Sequence, residues 1–340
     1  MTHASPSLAI DARDLVKTYP GGRGKPRIRA LDGLSFGAES GTIFGLLGPN
    51  GAGKSTSVKI LSTLSRADSG FGSIAGIDVA KNPDRVRRVL GFVAQKPVSD
   101  PMDTGRENLV LAGRLQGMSG RSARARAIEL LGRFSLTDAA DRQVKTYSGG
   151  MARKLDVAIG LMHHPQVLFL DEPTTGLDPE ARAEMWIELE AMARHEQMTV
   201  LLTTHYLEEA DRLASKLAIV DHGRVIVTGS PDELKDAMHG DAVILELGAD
   251  TSVDAARSAI GNTLSEVVVE FRTIRGRAAV GAVALPRVLG ALDEAGLSVA
   301  SATVARPSLD DVFLKHTGHS FGSGPSTSSG TGTTTKETSK

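Results

Sequence analysis

A glycine-rich run of eight residues constrains what this chain can fold into more than any other feature. Residues 48–55 read GPNGAGKS and match the pattern G-x-x-x-x-G-K-[ST] without a gap. The apolar run 42–47 has the character of a buried parallel strand, and the segment after the glycines has helical spacing. Glycines let successive backbone N–H groups point at one anion, and the start of a helix adds positive partial charge. The run therefore predicts a nucleotide-phosphate site formed by Gly48, Pro49, Asn50, Gly51, Ala52, Gly53, Lys54, Ser55 and Thr56.

Two side chains of this phosphate loop (residues 48–55) carry the predicted chemistry. Lys54 would reach the β- and γ-phosphates of a nucleoside triphosphate, and the Ser55 hydroxyl would coordinate a Mg²⁺ ion that bridges the same oxygens. The alternative is a glycine-rich turn with an incidental lysine. The position of the run between a strand and a helix favours phosphate binding.

A carboxylate pair is predicted to face the same site. Residues 167–172 read VLFLDE, which indicates a buried strand that ends in Asp171 and Glu172. Open α/β sheets bind ligands at the carboxyl ends of their strands. Asp171 can hold the magnesium ion, and Glu172 can orient or deprotonate an attacking water. Without a phosphate loop upstream, a helix-capping pair would be an equal interpretation.

A second cradle for phosphate is predicted at the serine-glycine loop, which consists of Ser148, Gly149 and Gly150. This loop precedes the helical segment RKLDVAIGLM, so its backbone N–H groups lie at a helix N-terminus. Alone, such a run usually serves only as a helix cap. Its significance depends on the motifs around it.

The pattern of strands and helices divides the chain. Residues 8–10 and 15–16 predict short antiparallel strands at the edge of a larger unit. Residues from about 96 to 161 predict a helical subdomain, and the alternation that follows predicts a parallel α/β sheet. We expect this first domain to span residues 1–240.

The remainder of the chain differs from the first domain. Residues 241–316 predict the order β-α-β-β-α-β and a last helix, which indicates a small C-terminal α+β domain of ferredoxin-like type. After Phe321 the chain has no aliphatic or aromatic residue. Because such a segment cannot bury enough apolar surface to offset its ordering entropy, we expect a disordered tail over residues 317–340.

Composition excludes several classes of protein. The 39 Lys and Arg residues balance 40 Asp and Glu residues, so no general attraction to nucleic acid or anionic lipid is expected, and we predict no nucleic-acid partner. The absence of cysteine excludes disulfide scaffolds and thiolate zinc sites. No apolar run approaches the ~18 to 20 residues of a membrane-spanning helix, and no secretory signal opens the sequence. We expect another chain to supply any membrane span.

Five motifs follow one another in a characteristic order. They are GPNGAGKST, GFVAQ with Gln95, YSGGM, LFLDEPTTGLDP and LLTTH with His205. In this order and at these spacings they resemble the nucleotide-binding subunits of ABC transporters. The segment PSLDDVFL, together with residues 241–316, resembles more narrowly the daunorubicin/doxorubicin-resistance (DrrA-type) ATP-binding subunits. One departure is Met151, which follows the serine-glycine loop and whose side chain cannot donate a hydrogen bond as glutamine does.

The resemblance implies a fold and two cofactors. The fold is a P-loop, RecA-like ABC ATPase core with antiparallel β and α-helical subdomains, and the cofactors are ATP and Mg²⁺. Lys54, Glu172 and His205 would serve hydrolysis, with His205 holding the γ-phosphate and Glu172 in place. Ser55, Gln95 and Asp171 would ligate the magnesium ion.

The resemblance also assigns residues that are weak signals singly. Tyr19 would stack on adenine, although it could be a strand-edge aromatic residue. Gln95 would sense the γ-phosphate and relay to the membrane subunit, although it could be a solvated polar residue, and His205 could be a satisfied histidine at a strand end. Asp178 would contact the opposite subunit. Ser148 and Gly150 would touch the γ-phosphate of the nucleotide that the opposite subunit binds.

The implied assembly is a homodimer of ATPase subunits bound to an integral membrane permease at the cytoplasmic face of the cell membrane. The implied function is ATP hydrolysis that energises export of a hydrophobic drug or antibiotic. Export of a lipid or a glycan is also compatible, because nothing in a cassette contacts the cargo. A soluble ABC ATPase acting on ribosomes or DNA would usually carry two cassettes or a long insertion. A P-loop GTPase or small-molecule kinase would leave YSGGM unexplained.

Overall fold

The computed structural model of the chain describes residues 8–21, 26–238 and 240–318. The disordered tail predicted over residues 317–340 lies outside these ranges except for residues 317 and 318, and Thr317 is the last residue of a helix rather than disordered. Within them, no helix is long and apolar enough to cross a bilayer.

Fourteen strands and eleven α-helices make up the described part of the chain. The strands are β1 Leu8–Tyr19, β2 Ile28–Glu39, β3 Ile43–Leu47, β4 Ser69–Ile74, β5 Ile77–Asp78, β6 Leu90–Val93, β7 Val167–Asp171, β8 Thr199–Thr204, β9 Lys216–Asp221, β10 Arg224–Gly229, β11 Asp241–Leu247, β12 Ser265–Glu270, β13 Thr273–Ala278 and β14 Val299–Ala305. The helices are α1 Lys54–Leu61, α2 Pro83–Val89, α3 Gly105–Leu115, α4 Gly120–Arg133, α5 Gly149–Gly160, α6 Pro179–Glu196, α7 Leu207–Leu213, α8 Pro231–Asp236, α9 Val253–Ile260, α10 Gly281–Glu294 and α11 Leu309–Thr317.

The central sheet has the strand order β10-β9-β3-β8-β7-β6. Its strands are parallel except β10, which runs antiparallel to β9. Strands β3, β7 and β8 are buried almost throughout, which explains their continuous apolar runs. The pairing sets Asp171 beside Thr203 and Leu47 beside Thr204. The phosphate loop, the carboxylate pair and His205 therefore all leave the sheet at its carboxyl edge.

The antiparallel sheet at the start of the chain has the order β2-β1-β4-β5. The two short strands predicted in residues 8–16 are one continuous strand, and its partner β2 follows later in the chain. The prediction was wrong because of Asp14, whose φ of 49° accompanies a shift of register between Ala12 and Leu15. Such a bulge interrupts the alternation of apolar residues without ending the strand.

Helices α3, α4 and α5 form the predicted helical subdomain. Leu109, Leu130 and Leu155, one from each helix, are fully buried in a single apolar cluster. That cluster also contains Leu168 of β7 and Val200 of β8, so the helices are packed directly on the central sheet. The serine-glycine loop at the start of α5 is thereby held at a defined position relative to the sheet.

The chain after residue 240 has the predicted order β-α-β-β-α-β, in an antiparallel sheet of order β12-β13-β11-β14. Helices α9 and α10 contribute Ile260 and Val288 to the same core as Val243 and Leu245 of β11. Helix α11 does not belong to this core, because Phe313 and its apolar neighbours pack against the first domain. The cluster around Phe313 contains Leu47, Ala210, Ala214, Leu217, Ile219, Leu234, Met238, Leu309 and Val312.

Candidate active site

The phosphate loop joins the end of β3 to the start of α1. Gly53 has a φ of 111°, in the left-handed region that favours glycine, and a Cβ there would come within 2.7 Å of the Ala30 carbonyl oxygen. A larger residue would displace the loop from β2. Helix α1 begins at Lys54, directly after this glycine, so its N-terminal amides open toward the loop.

Lys54 is the buried cation of the site, with 7% of its surface exposed. Its Nζ donates to the carbonyl oxygens of Gly48 at 2.5 Å and Pro49 at 3.0 Å. Burial lowers the pKa of Lys54, and the nearby carboxylates of Glu172 and Asp171 oppose this effect. The ammonium group is therefore held inside the phosphate loop, close to the carboxylate pair.

Glu172 contacts two other residues that the sequence predicts for the site. Its Oε2 accepts a hydrogen bond from Gln95 Nε2 at 2.9 Å and lies 3.2 Å from His205 Nδ1. Glu172 has a φ of 49°, an unfavourable conformation for a residue with a side chain, which costs about 1–3 kcal/mol where the surroundings impose it. Its neighbour Asp171 accepts a hydrogen bond from Thr203 Oγ1 at 2.5 Å. The carboxylate pair is thus fixed by contacts from two other segments, the one that contains Gln95 and the end of β8.

A buried arginine of helix α5 connects the Gln95 segment to the carboxylate pair. Arg153 is 7% exposed and donates to the carbonyl oxygens of Ala94 at 2.6 Å, Pro173 at 2.8 Å and Asp171 at 3.0 Å. Burial lowers the pKa of this guanidinium. Because Ala94 precedes Gln95 in the chain, one side chain ties the start of the Gln95 segment to the end of β7.

Two predicted residues outside this group act as helix caps. The Ser148 hydroxyl accepts from the Met151 amide at 3.2 Å, and the Asp178 carboxylate accepts from the Ala181 amide at 2.9 Å. Both caps are exposed, and among the described residues no hydrogen bond joins either of them to the phosphate loop. Gly150 is buried, and a Cβ there would approach the Cβ of Ala181 to 2.8 Å. One chain therefore does not bring the serine-glycine loop to its own phosphate loop.

Tyr19 is the last residue of β1 and is half-buried. Its ring lies 5.5 Å from the Lys17 ammonium, which is a cation–π distance. The residues at 22–25, which follow it, are outside the described ranges. Its role toward adenine stays a prediction.

Comparison with known proteins identifies the family. The profile described as ABC transporter matches residues 31–175. The daunorubicin resistance ATP-binding protein DrrA2 of Streptomyces coeruleorubidus is 47% identical over 294 residues, which cover 86% of this chain and 91% of that protein. The chain belongs to the ATP-binding subunits of ABC transporters. It binds and hydrolyses ATP to energise transport.

Other ABC relatives are similar to different extents. The daunorubicin/doxorubicin resistance ATP-binding protein DrrA of Streptomyces peucetius is 43% identical over 325 residues, covering 93% of this chain and 94% of that protein. The Nod factor export ATP-binding protein I of Burkholderia orbicola is 42% identical over 241 residues, covering 71% of this chain and 77% of that protein. Among solved structures, the ATP-binding cassette MJ0796, dimeric and bound to ADP and Pi, has a TM-score of 0.60 at 26% identity. That match covers 65% of this chain and 98% of MJ0796.

The donor set of this ABC subunit fits a magnesium ion. Ser55, Gln95 and Asp171 offer a hydroxyl, an amide oxygen and a carboxylate, which are the hard oxygen ligands that Mg²⁺ takes together with substrate phosphates. The Gln95 amide nitrogen donates to Glu172, which leaves the amide oxygen for an ion. Of the two carboxylate oxygens of Asp171, Thr203 contacts Oδ1.

Sequence reasoning missed Arg153 and Thr203. A signal for Arg153 existed, because it lies three residues after Gly150 and four before Val157, on the buried stripe of α5. A charged residue on such a stripe needs buried partners. Thr203 had a weaker signal, since only the register of β7 against β8 sets it beside Asp171.

Proposed function

We propose that this ABC subunit energises export of an apolar, drug-like molecule through a separate integral membrane permease, at the cytoplasmic face of the membrane. The extent of similarity carries the proposal. The DrrA relatives, named for daunorubicin and doxorubicin resistance, match 86% and 93% of the chain, whereas the Nod factor export relative matches 71%. The region beyond the ATPase core is therefore shared more fully with the drug-resistance proteins.

Glu172 is the residue that we assign to activation of the attacking water. Gln95, His205 and Thr175 all contact Oε2 of this carboxylate. We therefore assign the other oxygen, Oε1, to the water. His205 would hold the γ-phosphate from the same side, and Lys54 would turn from the loop carbonyls to the β- and γ-phosphates. Each group thus has a fixed anchor before the nucleotide binds.

Mg²⁺ would be held by Ser55, Gln95 and Asp171, and it would neutralise charge on the β- and γ-phosphate oxygens. Thr203 supports this assignment, because its hydroxyl orients the Asp171 carboxylate. The hydrogen bond from Gln95 to Glu172 would link the metal ligand to the water-activating group. Loss of Mg²⁺ is therefore expected to abolish hydrolysis.

A homodimer would complete two ATP sites. The serine-glycine loop and Asp178 are exposed N-caps that do not reach the phosphate loop of their own chain. We propose that each serine-glycine loop closes on the nucleotide of the partner subunit. The dimeric assembly of MJ0796, at 26% identity, supports this arrangement.

The permease would bind at an apolar cleft next to the Gln95 segment. This cleft has a volume of about 400 Å³ and is lined by Leu64, Leu115, Phe92 and Ile159, among others. Leu115 is 80% exposed and Leu64 is 64% exposed, which is unusual for adjacent large apolar side chains. Phe92 lies on β6, three residues before Gln95. A movement of the residues that line the cleft would therefore reach the active site through one short segment.

The decisive experiment isolates the subunit from membranes and identifies the integral membrane protein that accompanies it. ATPase activity of that complex in lipid vesicles is then measured with and without daunorubicin. We expect stimulation by daunorubicin and its accumulation inside inverted vesicles. A complex that hydrolyses ATP but responds only to glycan or lipid cargo would favour the function named for the Burkholderia relative. Absence of any membrane partner would contradict the proposal.

The cleft is tested separately with Leu115→Glu. This change should release the permease while leaving basal ATP hydrolysis of the free subunit unchanged. Ile128→Glu is the matched control, since Ile128 is also an exposed apolar residue, at 60%, but does not line the cleft. Equal retention of the permease by both variants would show that it binds elsewhere.

A further inference from the structure

We propose that Tyr206 is a positioning residue for His205, and that Arg182 anchors it to the first turn of helix α6. The inference rests on the proposed role of His205 in ATP hydrolysis. The rings of His205 and Tyr206 are adjacent, with centroids 4.2 Å apart and planes tilted by 38°. The guanidinium carbon of Arg182 lies 4.8 Å from the centroid of the Tyr206 ring. The three side chains therefore form a stack that ends on the imidazole.

His205 needs such support because little else in the described chain orients it. It follows the end of β8, its side chain is 38% exposed, and its ring contacts Glu172 through Nδ1 at 3.2 Å. A single contact at one ring atom leaves the imidazole able to rotate about that atom. The face of Tyr206 removes this freedom, since an aromatic neighbour restricts the plane as well as the position of the ring.

Tyr206 is itself fixed at both its backbone and its ring. Its amide donates to Thr204 Oγ1 at 2.9 Å, and Thr204 is 1% exposed. On the side of Arg182, the buried Nε has no hydrogen-bond partner among the described residues. The aromatic face is a direct contact of this guanidinium, because a cation at this distance is attracted by the ring quadrupole. The Glu209 carboxyl group also interacts electrostatically with Arg182.

The anchor connects His205 to the second cradle. Arg182 follows Ala181, the residue whose Cβ faces Gly150, in the turn that Asp178 caps. Consecutive residues of one helical turn therefore contact the serine-glycine loop on one side and the His205 stack on the other. A displacement of this turn would move Tyr206, and with it the imidazole next to Glu172.

The experiment compares substitutions that keep or remove the stack in the full-length subunit. Tyr206→Phe retains the ring and should leave kcat and KM for ATP near the parent values. Tyr206→Leu should lower kcat about tenfold to a hundredfold, because the imidazole is then misplaced. KM should change little, because the phosphate loop still binds ATP. Arg182→Gln should cause a smaller loss of kcat. Arg212→Gln is the matched control, since Arg212 stacks on Trp186 at 5.0 Å, away from His205.

A double-mutant cycle separates positioning from general destabilisation. In a His205→Ala background, Tyr206→Leu should cause no further loss of kcat, because its effect acts through the missing imidazole. Full additivity of the two losses would overturn the inference. So would equal kcat for the Phe and Leu variants at position 206.

A readout without turnover keeps the inference distinct from the proposed function. In proton NMR of the subunit, the ring C–H signals of His205 should shift in Tyr206→Leu and stay near the parent position in Tyr206→Phe. Unmoved signals in the Leu variant would show that the stack does not form. If the signals move as expected but the parent subunit hydrolyses no ATP with Mg²⁺ present, the role of His205 in hydrolysis is wrong and the structural contact stands.

Discussion

The phosphate loop and the serine-glycine loop both precede a helix N-terminus. Within one chain, however, the two loops differ in burial and in the side chains around them. Lys54 in the phosphate loop is 7% exposed and lies within the electrostatic reach of two carboxylates. Ser148 in the serine-glycine loop is exposed, and within the described part of the chain it hydrogen-bonds only to the start of its own helix. A helix N-terminus attracts anions in both cases, but only the first is connected to groups that can perform chemistry.

This difference teaches that anion binding and catalysis depend on separate features. The glycines and helix ends provide binding, whereas Glu172, Gln95 and His205 provide the reacting environment at one cradle only. The second cradle can contribute to hydrolysis if another copy of the chain presents it to a nucleotide. The predictions below test this contrast, beginning with the largest expected effect.

Removal of the water-activating charge should separate binding from hydrolysis at the first cradle. Glu172→Gln keeps the phosphate loop and the metal ligands, so ATP affinity should stay close to that of the parent. Single-turnover hydrolysis should fall by about 10²- to 10⁴-fold, the typical contribution of a general base. Glu190→Gln, a change of the same kind on α6, is the control. Hydrolysis by Glu172→Gln within twofold of the parent would contradict the assignment.

Mixed dimers test directly whether the serine-glycine loop acts on the nucleotide of the partner subunit. Lys54→Ala and Ser148→Arg should each inactivate both sites of a homodimer. In a mixed dimer one site collects both changes, while the other joins an intact Lys54 to an intact Ser148 across the two-fold axis. Mixing two inactive proteins should therefore restore turnover, up to about half of the parent value per mixed dimer if the sites are independent.

Two controls make the mixing experiment interpretable. Differential tags confirm that mixed dimers form, and a tethered dimer with one intact site shows that a single site suffices. Under these conditions, no recovery of turnover would mean that the serine-glycine loop serves its own chain.

A single methyl group should test the packing of the second cradle. Gly150→Ala would place a Cβ 2.8 Å from the Cβ of Ala181, so the loop or the start of α6 must move. Such overpacking costs typically about 1–3 kcal/mol. We expect a lower melting temperature and slower turnover, with ATP affinity of the monomer retained. Gly149→Ala is the control for the melting temperature, because a Cβ at Gly149 meets nothing within 4 Å. Equal behaviour of the two variants would contradict the described contact.

The smallest expected effect concerns pH and a buried carboxyl group on helix α7. Glu209 is fully buried and accepts hydrogen bonds from Thr174 Oγ1 at 2.9 Å and Trp186 Nε1 at 3.1 Å. Burial raises the pKa of the Glu209 carboxyl group above its ordinary value of 4.5. Because the folded state then keeps a proton that the unfolded state has released, the free energy of unfolding should fall as pH rises from 4.5 through the folded pKa.

Substitution of this carboxyl group isolates its contribution. Glu209→Gln should be more stable than the parent at pH 8, and the difference should shrink toward pH 4. Urea unfolding at several pH values measures it, with the exposed neighbour Glu208→Gln as control. A stability difference that is the same at every pH would show that Glu209 does not titrate as expected.

Much of the fold followed from local pattern. The buried strands before the phosphate loop and before Asp171 are continuous apolar runs, and both are strands of the central sheet as predicted. The ferredoxin-like order after residue 240 was also predicted, because each of its elements has a clear period of its own. The alternating pattern failed to predict β1 at Asp14, because a bulge changes the side-chain period and no residue type marks its position.

The candidate site was less accessible to sequence reasoning. The contact of His205 with Glu172 was expected only from family resemblance, and the hydrogen bond from Gln95 to the same oxygen of Glu172 was not predicted. The contacts of Arg153 with four backbone carbonyls depend on segments far apart in the chain, so no local pattern encodes them. The stacking of Arg182 on Tyr206 likewise requires α6 and α7 to be packed side by side.

Helix α11 changes what the predicted boundary at residue 240 means for dissecting the chain. Phe313 and Val312 fill a cluster with Leu217 and Leu234, so the chain leaves the ATPase core near residue 240 and returns to it at the helix. The intervening segment is in effect an insertion rather than an appendage. Truncation after Gly240 would strip an apolar face bare and invite aggregation. Excision of residues 241–305, with a linker that keeps α11, is the way to obtain a minimal ATPase.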